Sequence, residues 1–448
     1  MSVWHNKVQS LVVLSIASGV LSFASTARAQ DIPDPNPRPN PDGTFTWWVG
    51  NNMQFPVIQE VLDFAMPGDE IVVMPGLYVE DLNISTIDLT IRPACLVQDG
   101  SGYWGDVVFW NPTEGFEDDP WCMRFEGADN TYVGRPRLFK QLSTGFQSLA
   151  LVDPGEWAPQ LPPHAVADVT ERSGGVTFTF WSRDVSSVAV YVVEGAPTIQ
   201  SCVIKSQNGF GCGALVRAPD DPDATTSPAF VDCIFEDLYS TTQEVDGYPA
   251  YGITILGSSE PTVLASFRGC TIRLSSAGVG GVIMQQGGRT SWSDCVFEDL
   301  DCAVGDGSYQ TVGGPATFTE CTFSRCHSRF GTVWIDATSD LDPARAVLFD
   351  RCDFLDNTTV DGQYGGVLQA VGTPNVQPPV ELSGCGIDGN NGSAGFSFFD
   401  IRTPFFPYYR IGADLQDSAV LNGSGPDLNG DGVVDGADLT ILLGNWGS

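Results

Sequence analysis

Basic residues are scarce in this chain, and lysine is the scarcest of them. The 448 residues include 55 Asp and Glu against 21 Lys and Arg, and only Lys140 and Lys205 lie beyond the first 29 residues. Removing Lys7 and Arg28 with that first segment leaves 19 basic residues and a formal charge of −36. Nucleic-acid binding needs positive charge opposite the phosphates, so this composition argues against it.

Histidine and the motifs of common catalytic sites are also nearly absent. Only His164 and His327 follow the first 29 residues, and the sequence contains neither G-x-S-x-G nor H-E-x-x-H. No C-x-x-C and no Cys/His spacing indicates a zinc site.

Long apolar runs are missing after residue 29, and acidic residues are missing before it. Lys7, the apolar run 11–21 and the A-x-A end at 27–29 are typical of a bacterial-type secretory signal peptide, assigned here to 1–29. The run is too short to span a bilayer. We therefore expect a secreted protein, extracellular or at the cell surface, with no membrane span after cleavage.

A proline-rich stretch and a short helix follow the signal segment. Five prolines in "DIPDPNPRPNPDG" predict an extended linker over 30–46. In "FPVIQEVLDFAMPGDEIVVMPGLYVEDLNI", Ile58, Val61, Leu62 and Ala65 share one helical face, and the next apolar run, 71–74, predicts a buried strand. Pro75-Gly76 then predicts a turn.

This stretch resembles the amino-terminal end of secreted right-handed parallel β-helix proteins, the pectin-lyase-like superfold. In that family an I-Q helix caps the coil, and a G-D, P-G-x-Y-x-E stretch forms the first rung. The matching residues are Ile58, Gln59, Gly68, Asp69, Pro75, Gly76, Tyr78 and Glu80. The resemblance implies an all-β, right-handed parallel β-helix solenoid with a short N-terminal capping helix.

Seven internal repeats of the form Φ-x-x-C-x-Φ predict the same coil independently. Their cysteines, 25 to 37 residues apart, are Cys202, Cys233, Cys270, Cys295, Cys321, Cys352 and Cys385. Each cysteine and the second Φ lie on one side of a strand, whereas the first Φ, three residues earlier, indicates a corner or a bulge between them. We expect roughly eight to twelve stacked rungs over 47–415.

Twelve cysteines in an exported protein pose a choice between disulfides and thiols. The repeat cysteines occupy equivalent inward positions on strands about 4.8 Å apart, and parallel side chains aim poorly for the disulfide torsion. We therefore expect a ladder of buried thiols. Cys302 and Cys326, each just after a repeat strand, are the pair placed to form a disulfide.

A loop-rich insertion is expected at about 96–175, where the repeats fade. Five tryptophans lie in or near this region: Trp104, Trp110, Trp121, Trp157 and Trp181. They either stack on sugar rings or pack the loops onto the coil.

Catalytic signals are few. The stretch "VWIDA", 333–337, resembles the V-W-I-D-H strand of pectate lyases, with Ala337 in place of the histidine. Arg345 and Arg351 are candidates for the basic residue that lyases of this fold need. Candidates for a carboxylate pair are Asp336, Asp340, Asp342, Asp353 and Asp356. We expect any active site on a face that bears both 333–336 and 353–356.

The last 22 residues predict a calcium loop. Positions 1, 3, 5, 7, 9 and 12 are Asp427, Asn429, Asp431, Val433, Asp435 and Asp438, and Gly432 stands at the turn position 6. This spacing resembles one half of a type I dockerin, which implies an EF-hand-like tail at 427–448 after a linker at 416–426. The resemblance implies Ca²⁺ and a cohesin-like or envelope anchoring partner.

Two classes of function fit this sequence. The first is a non-catalytic, acidic surface or carbohydrate-binding protein that is docked at the cell envelope through its tail. The alternative is a polysaccharide lyase or glycoside hydrolase of the pectin-lyase-like superfold. The missing catalytic motifs favour the first class, and the fold resemblance keeps the second, so the catalytic residues stay unknown from sequence.

Overall fold

Short parallel strands make up nearly all of the regular structure. The computed structural model describes residues 37–50, 53–74, 76–93, 107–110, 121–134, 178–182, 188–206, 212–240, 244–245, 248–249, 251–257, 262–277, 281–302, 309–312, 314–329, 331–337, 347–359, 368–372, 380–388, 390 and 399–401. Three long sheets and one short sheet run along the molecule within these ranges.

Sheet A has twelve strands. They are β1 (Arg38–Pro39), β2 (Phe45–Val49), β3 (Glu70–Val73), β6 (Thr90–Pro93), β9 (Tyr132–Gly134), β12 (Thr198–Gln200), β15 (Ala229–Val231), β21 (Leu264–Arg268), β25 (Arg289–Ser293), β29 (Ala316–Thr319), β33 (Val347–Asp350) and β37 (Val380–Ser383).

Sheet B has ten strands. They are β4 (Gly76–Val79), β7 (Val107–Trp110), β10 (Phe178–Ser182), β13 (Val203–Ser206), β16 (Ile234–Glu236), β22 (Thr271–Arg273), β26 (Val296–Glu298), β30 (Thr322–Ser324), β34 (Asp353–Leu355) and β38 (Gly386–Asp388).

Sheet C also has ten strands. They are β5 (Leu82–Ile84), β8 (Trp121–Phe125), β11 (Val188–Val192), β14 (Cys212–Arg217), β20 (Ile253–Leu256), β24 (Ile283–Gln286), β28 (Tyr309–Val312), β32 (Val333–Ala337), β36 (Leu368–Gly372) and β39 (Phe399–Ile401).

Short sheet D and a hairpin complete the described strands. Sheet D contains β17 (Tyr239–Ser240), β23 (Ser276–Ala277), β27 (Asp301–Cys302), β31 (His327–Ser328) and β35 (Thr358–Thr359). The hairpin pairs β18 (Glu244–Val245) with β19 (Tyr248–Pro249).

The chain visits the sheets in a fixed order, which makes the fold a parallel β-helix. Each turn supplies a strand to A, then to B, then to C, and in five turns a sheet D strand lies between B and C. Among the described strands, all pairings are parallel except β1 with β2 and β18 with β19. Ten strands in each of sheets B and C agree with the expected number of rungs, and parallel crossovers of this kind are right-handed.

The interior of the coil is filled by side chains that stack from rung to rung. On sheet A, Phe267 lies 4.9 Å from Phe230 and 3.8 Å from Trp292 between ring centroids, with parallel planes. On sheet B, Phe323 stacks at 4.4 Å on Phe297 and at 4.9 Å on Phe354. Because each rung supplies the same kind of residue at the same position, the stack continues without gaps.

The corner between sheets A and B explains the cysteine repeat. One residue in the left-handed conformation precedes each repeat cysteine, so the first Φ is the next-to-last residue of a sheet A strand and the cysteine lies just before the sheet B strand. These residues are Ser201, Asp232, Gly269, Asp294, Glu320, Arg351 and Gly384, with φ between 52° and 62°. The corner predicted from the spacing is confirmed.

The repeat cysteines are buried thiols, as expected. Cys302 and Cys326 are also separate, buried thiols, so the expected disulfide between them is wrong. Both residues belong to the buried core of the coil. Cys95 lies outside the described residues.

Helix α1 (Ile58–Leu62) takes the place of the B and C strands in the first turn. Ile58, Val61 and Leu62 are buried and join the core of the coil. The Glu80 carboxylate accepts hydrogen bonds from the backbone N–H groups of Ile58 and Gln59, which would otherwise lack acceptors at the helix start. Its role as the cap of the coil stays a prediction.

The remaining residues of the amino-terminal motif fix this helix to the first rungs. The Gln59 amide bonds both the backbone N–H and the C=O of Asn83, as a neighbouring strand would. The Asp69 carboxylate accepts from the backbone N–H groups of Phe45 and Met66 and from the indole Nε1 of Trp47. The motif is therefore a set of side chains that satisfy backbone groups.

Two expected segments differ from the described strands. Within the expected linker 30–46, Arg38 and Pro39 pair with Thr46 and Phe45, so sheet A begins at Arg38. Within the expected insertion 96–175, strands β7, β8 and β9 continue sheets B, C and A. Weak repeats hid this rung, because its loops are long and it lacks the cysteine.

Candidate functional site

The outer face of sheet C carries a group of arginine and aromatic side chains at one end and Trp334 at the other. Strand register defines two rows of outward positions on this face. Row one is Asn83, Arg124, Tyr191, Leu215, Thr254, Met284, Gln310, Trp334, Gln369 and Asp400. Row two is Arg217, Leu256, Gln286, Val312, Asp336 and Val371.

One end of this face is built around an arginine that is only 6% exposed. The Nε of Arg217 donates to the hydroxyl of Tyr191 at 2.7 Å, and Nη1 donates to the backbone oxygen of Ala218. Both Nη atoms reach the carboxylate of Asp220, at 2.9 and 3.3 Å. These hydrogen bonds, together with the charge of Arg217, lower the pKa of Asp220.

A tryptophan and a second arginine lie beside this group. The Cζ of Arg124 is 4.9 Å from the centroid of the Trp121 ring, within the range of a cation–π contact. The Trp121 ring is 5.6 Å from Tyr191, and Arg124 Nη2 is 2.8 Å from the carboxylate of Glu126. A second apolar cluster, separate from the coil interior, surrounds these aromatic rings.

Two donors in this group have no acceptor. Trp121 Nε1 and Arg124 Nε are both buried and lack a hydrogen-bond partner within the part of the chain that the structure describes. Such groups cost free energy unless a solvent molecule or a ligand supplies the acceptor. Arg217 by contrast makes four hydrogen bonds to Tyr191, Ala218 and Asp220, so it positions Tyr191 and Asp220.

The other end of the face carries the stretch that sequence analysis singled out. Trp334 is half-buried in row one, level with Gln310 and Gln369. Asp336 lies in row two, level with Val312 and Val371. Six strand spacings separate Arg124 from Trp334 along row one, about 29 Å at ~4.8 Å per strand.

The expected acidic groove is not formed by the described residues. Residues 333–336 belong to sheet C, whereas Asp353 lies on sheet B and Asp356 at the corner that follows it. The expectation of one shared face is wrong, because the chain turns two corners between β32 and β34. Asp340, Asp342 and Arg345 lie outside the described residues.

Arg351 does not fit the role of a substrate-facing base. It is at the corner between sheets A and B, where its Nε is 3.0 Å from Glu320 and its Nη2 is 3.1 Å from Asp350. Arg325 makes the same kind of inter-rung ion pair with Glu298 and Asp299. These arginines hold neighbouring rungs together.

The calcium-loop residues Asp427, Asn429, Asp431, Val433, Asp435 and Asp438, with Gly432, lie outside the described residues. In the described ranges, no three His, Cys, Asp or Glu side chains converge in a way that fits a metal ion. Among those residues there is also no helix with the length and apolar character that a bilayer crossing needs.

Sequence reasoning missed the group around Trp121. Trp121, Arg124, Tyr191 and Arg217 come from three rungs, and no short motif links them. The available signal was the co-occurrence of arginine and aromatic residues on strands in a chain that is poor in basic residues.

Comparison with known proteins gives structural likeness only. No family model matches the sequence, and no curated protein matches it. Solved structures that resemble the chain include the pectin methylesterase from carrot, with TM-score 0.31, 10% identity and coverage of 80% of this chain and 88% of that one. The deglycosylated pectin methylesterase of Aspergillus niger has TM-score 0.32 and 12% identity, over 84% of this chain and 94% of that one.

A pectin methylesterase of Erwinia chrysanthemi is similar at TM-score 0.30 and 11% identity, over 76% of this chain and 78% of that one. Likeness at this level says nothing about activity. The parallel β-helix follows from the strand pairing of the chain itself.

Proposed function

We propose that this chain is an exported polysaccharide-binding protein whose ligand binds at the outer face of sheet C, near Trp121 and Arg124 at one end and near Trp334 at the other. The observation that carries the proposal is the pair of buried donors, Trp121 Nε1 and Arg124 Nε, for which the described ranges of the chain offer no acceptor. Sugar hydroxyl and carboxylate oxygens supply the acceptors that these donors lack. The half-buried indole of Trp334 offers a stacking surface for the apolar side of a sugar ring further along the same face.

A polysaccharide-degrading enzyme is the second candidate. Asp336 supports it, because its strand position is two residues after Trp334 and therefore lies on the same face of sheet C. Among the described positions of the two rows, Asp336 and Asp400 are the acidic ones, and they lie two strands apart in different rows, whereas glycoside hydrolysis uses a matched acid and base pair. Binding without turnover is therefore the better supported function.

The exported state and the anchored tail belong to the same proposal. Removal of 1–29 places the coil outside the cell, and the calcium loop at 427–438 provides hard oxygen ligands at regular spacing. Calcium then orders the tail for a cohesin-like or other envelope partner.

A panel of neutral and acidic polysaccharides tests the function. Affinity electrophoresis measures binding by the full chain, and the same mixtures are assayed for new reducing ends, unsaturated products and released alcohol. Retardation by at least one polysaccharide with no product supports the proposal. Product formation that Asp336→Ala abolishes establishes the enzyme instead, and no retardation by any polysaccharide contradicts both.

A further inference from the structure

The seven repeat cysteines are here called the thiol ladder, and six of them are hydrogen-bonded through the thiol to the backbone of the preceding rung. The Sγ of Cys270 lies 3.4 Å from the backbone oxygen of Phe230, and the Sγ of Cys295 lies 3.5 Å from that of Phe267. Equivalent contacts are made by Cys202, Cys233, Cys352 and Cys385. Every ladder thiol, Cys321 included, also faces the backbone oxygen two residues before it. The S–H groups thus donate hydrogen bonds to backbone carbonyl oxygens at a buried corner.

The next corner, between sheets B and D, uses donors in the same way. Cys326 Sγ lies 3.7 Å from the backbone oxygen of Phe297. The side-chain amide of Asn357 donates to Phe323 at 2.9 Å, and that of Asn390 donates to Phe354 at 2.8 Å. Thiol and amide donors thus fill equivalent places in some turns, whereas the buried Leu238 and Leu300 occupy the matching place in two others.

The closed coil keeps the ladder protonated and out of reach of reagents. All seven ladder cysteines are at most 1% exposed. Burial raises the pKa of Cys233 and Cys270, and hydrogen bonding to the Cys321 thiol raises the pKa of Cys352 to about 12. Because the thiolate attacks disulfides and the thiol does not, these cysteines are inert while buried.

In an opened chain the ladder thiols ionise more easily and are accessible to reagents. Its thiols return to pKa values near ~8.5 and meet solvent. Successive ladder cysteines are 25 to 37 residues apart, and loops of that length close at modest entropic cost. In the closed coil every ladder cysteine is a free thiol, since parallel side chains on adjacent rungs aim poorly for the disulfide torsion.

We propose that the redox state of the thiol ladder controls whether the coil can close. The coil closes only from the reduced chain. Oxidation takes place only after the coil opens, and it then prevents the coil from closing. With a small disulfide as oxidant, one ladder thiolate attacks a sulfur and releases one small thiolate. A second ladder thiolate then attacks the mixed disulfide and releases the other. The result is one ladder disulfide, two reduced small thiols, and two lost S–H donors.

The test uses the full chain with oxidised glutathione as the oxidant. Under native conditions, titrated thiols and the strand signal in circular dichroism should both stay constant over hours. After opening in denaturant with oxidised glutathione, dilution should fail to restore the strand signal, and peptide mapping should find disulfides among the ladder cysteines. Added reductant should then restore it to the level of a chain that was opened and diluted without oxidant.

Two results would contradict the proposal that ladder oxidation and coil closure exclude each other. One is oxidation of ladder cysteines under native conditions with the strand signal intact, and the other is recovery of that signal by the oxidised chain without reductant. If the reduced chain also fails to regain its strand signal after dilution, the rate of thiol loss is compared with the rate of strand-signal loss instead. Thiol loss in a denaturant series must never be faster than loss of the strand signal, and faster thiol loss contradicts the proposal.

Discussion

Asp69 illustrates how single residues fasten the first rung. Its carboxylate accepts three hydrogen bonds, from Phe45, Met66 and Trp47, and it is 1% exposed. Asp69→Ala leaves three donors without an acceptor, so we expect the free energy of unfolding to fall by about 3 kcal/mol. Urea unfolding followed by circular dichroism measures this. Glu60→Ala, at an exposed site in the same segment, should change it by less than about 0.5 kcal/mol, and equal effects would contradict the assignment.

Because of the buried thiols, we expect the free energy of unfolding to decrease at alkaline pH. The pKa is raised by burial for Cys212, to about 12, and by the neighbouring Cys295 thiol for Cys321, also to about 12. Unfolded thiols lose their protons above ~8.5, whereas the folded ones keep them up to about pH 12. Stability is therefore fully present below pH 8.5 and falls above it, by about 1.4 kcal/mol per pH unit for each such thiol.

Urea midpoints at pH 7 and pH 10, in the presence of reductant, check this dependence. The midpoint should be lower at pH 10 for the unmodified chain. Cys321→Val with Cys352→Val removes two of the titrating groups and should give a shallower fall. Identical midpoints at both pH values would show that the thiols are not buried.

Local sequence patterns predicted the cysteine ladder but not the function of Asp69. The ladder is periodic, so each copy reinforces the inference that one inward position is repeated. Asp69 acts through donors on Phe45 and Trp47, more than 20 positions away, and no pattern within its own strand shows which backbone groups need an acceptor.

At the scale of elements, corner conformation limits which residues a rung tolerates. Leu274 has φ 50° at the corner between sheets B and D, and its side chain is 56% exposed. A left-handed conformation costs an ordinary residue about 1–2 kcal/mol, part of which glycine gives back as chain entropy. Leu274→Gly should therefore raise the free energy of unfolding by roughly 0.5–1 kcal/mol.

Thr271→Gly is the matched control, because Thr271 lies in strand β22 of the same rung. There glycine brings only its entropic cost, so stability should fall by about 0.5–1 kcal/mol. The two changes in urea midpoint must have opposite signs. A fall for Leu274→Gly would mean that the corner does not strain its residue.

Element order was predictable from the repeats, but the distribution of strands over faces was not. The repeats mark the passage from sheet A to sheet B in each turn, because the cysteine lies at that corner. Loops of unequal length separate B from C, and sheet D strands occur in only some turns. Residues 333–336 and Asp353, close in sequence, consequently lie on different sheets.

At the scale of the whole molecule, the tail is expected to add one calcium site to the coil. Calorimetric titration of the calcium-free full chain should give a single site with a dissociation constant of about 10⁻⁴–10⁻³ M. Asp427→Ala and Asp431→Ala should each abolish it, because the loop loses a charged ligand. Asp294→Ala, an exposed acid at a coil corner, should leave it unchanged; loss in all three variants, or in none, contradicts the assignment.

The grouping of residues on the sheet C face could not be predicted from the sequence, because the face forms only when several rungs stack. Trp121, Arg124 and Tyr191 become neighbours only when three rungs stack in register. Trp334 and Asp336 were visible as a short motif, yet their row partners depend on the same register. A one-residue slip would turn each of these side chains to the other face.

Binding of the best polysaccharide from the panel by three full-length variants tests the central claim most directly. Arg124→Gln and Trp334→Ala remove contacts at the two ends of the sheet C face, whereas Arg351→Gln removes the same charge as Arg124→Gln at a corner ion pair. With circular dichroism unchanged, the first two should each weaken binding about tenfold, since a hydrogen bond from a charged donor contributes about 1.5–3 kcal/mol and a ring-stacking contact about 0.5–1.5 kcal/mol. Arg351→Gln should bind as the unmodified chain does. Unchanged affinity in Arg124→Gln and Trp334→Ala would place the ligand elsewhere and contradict the account.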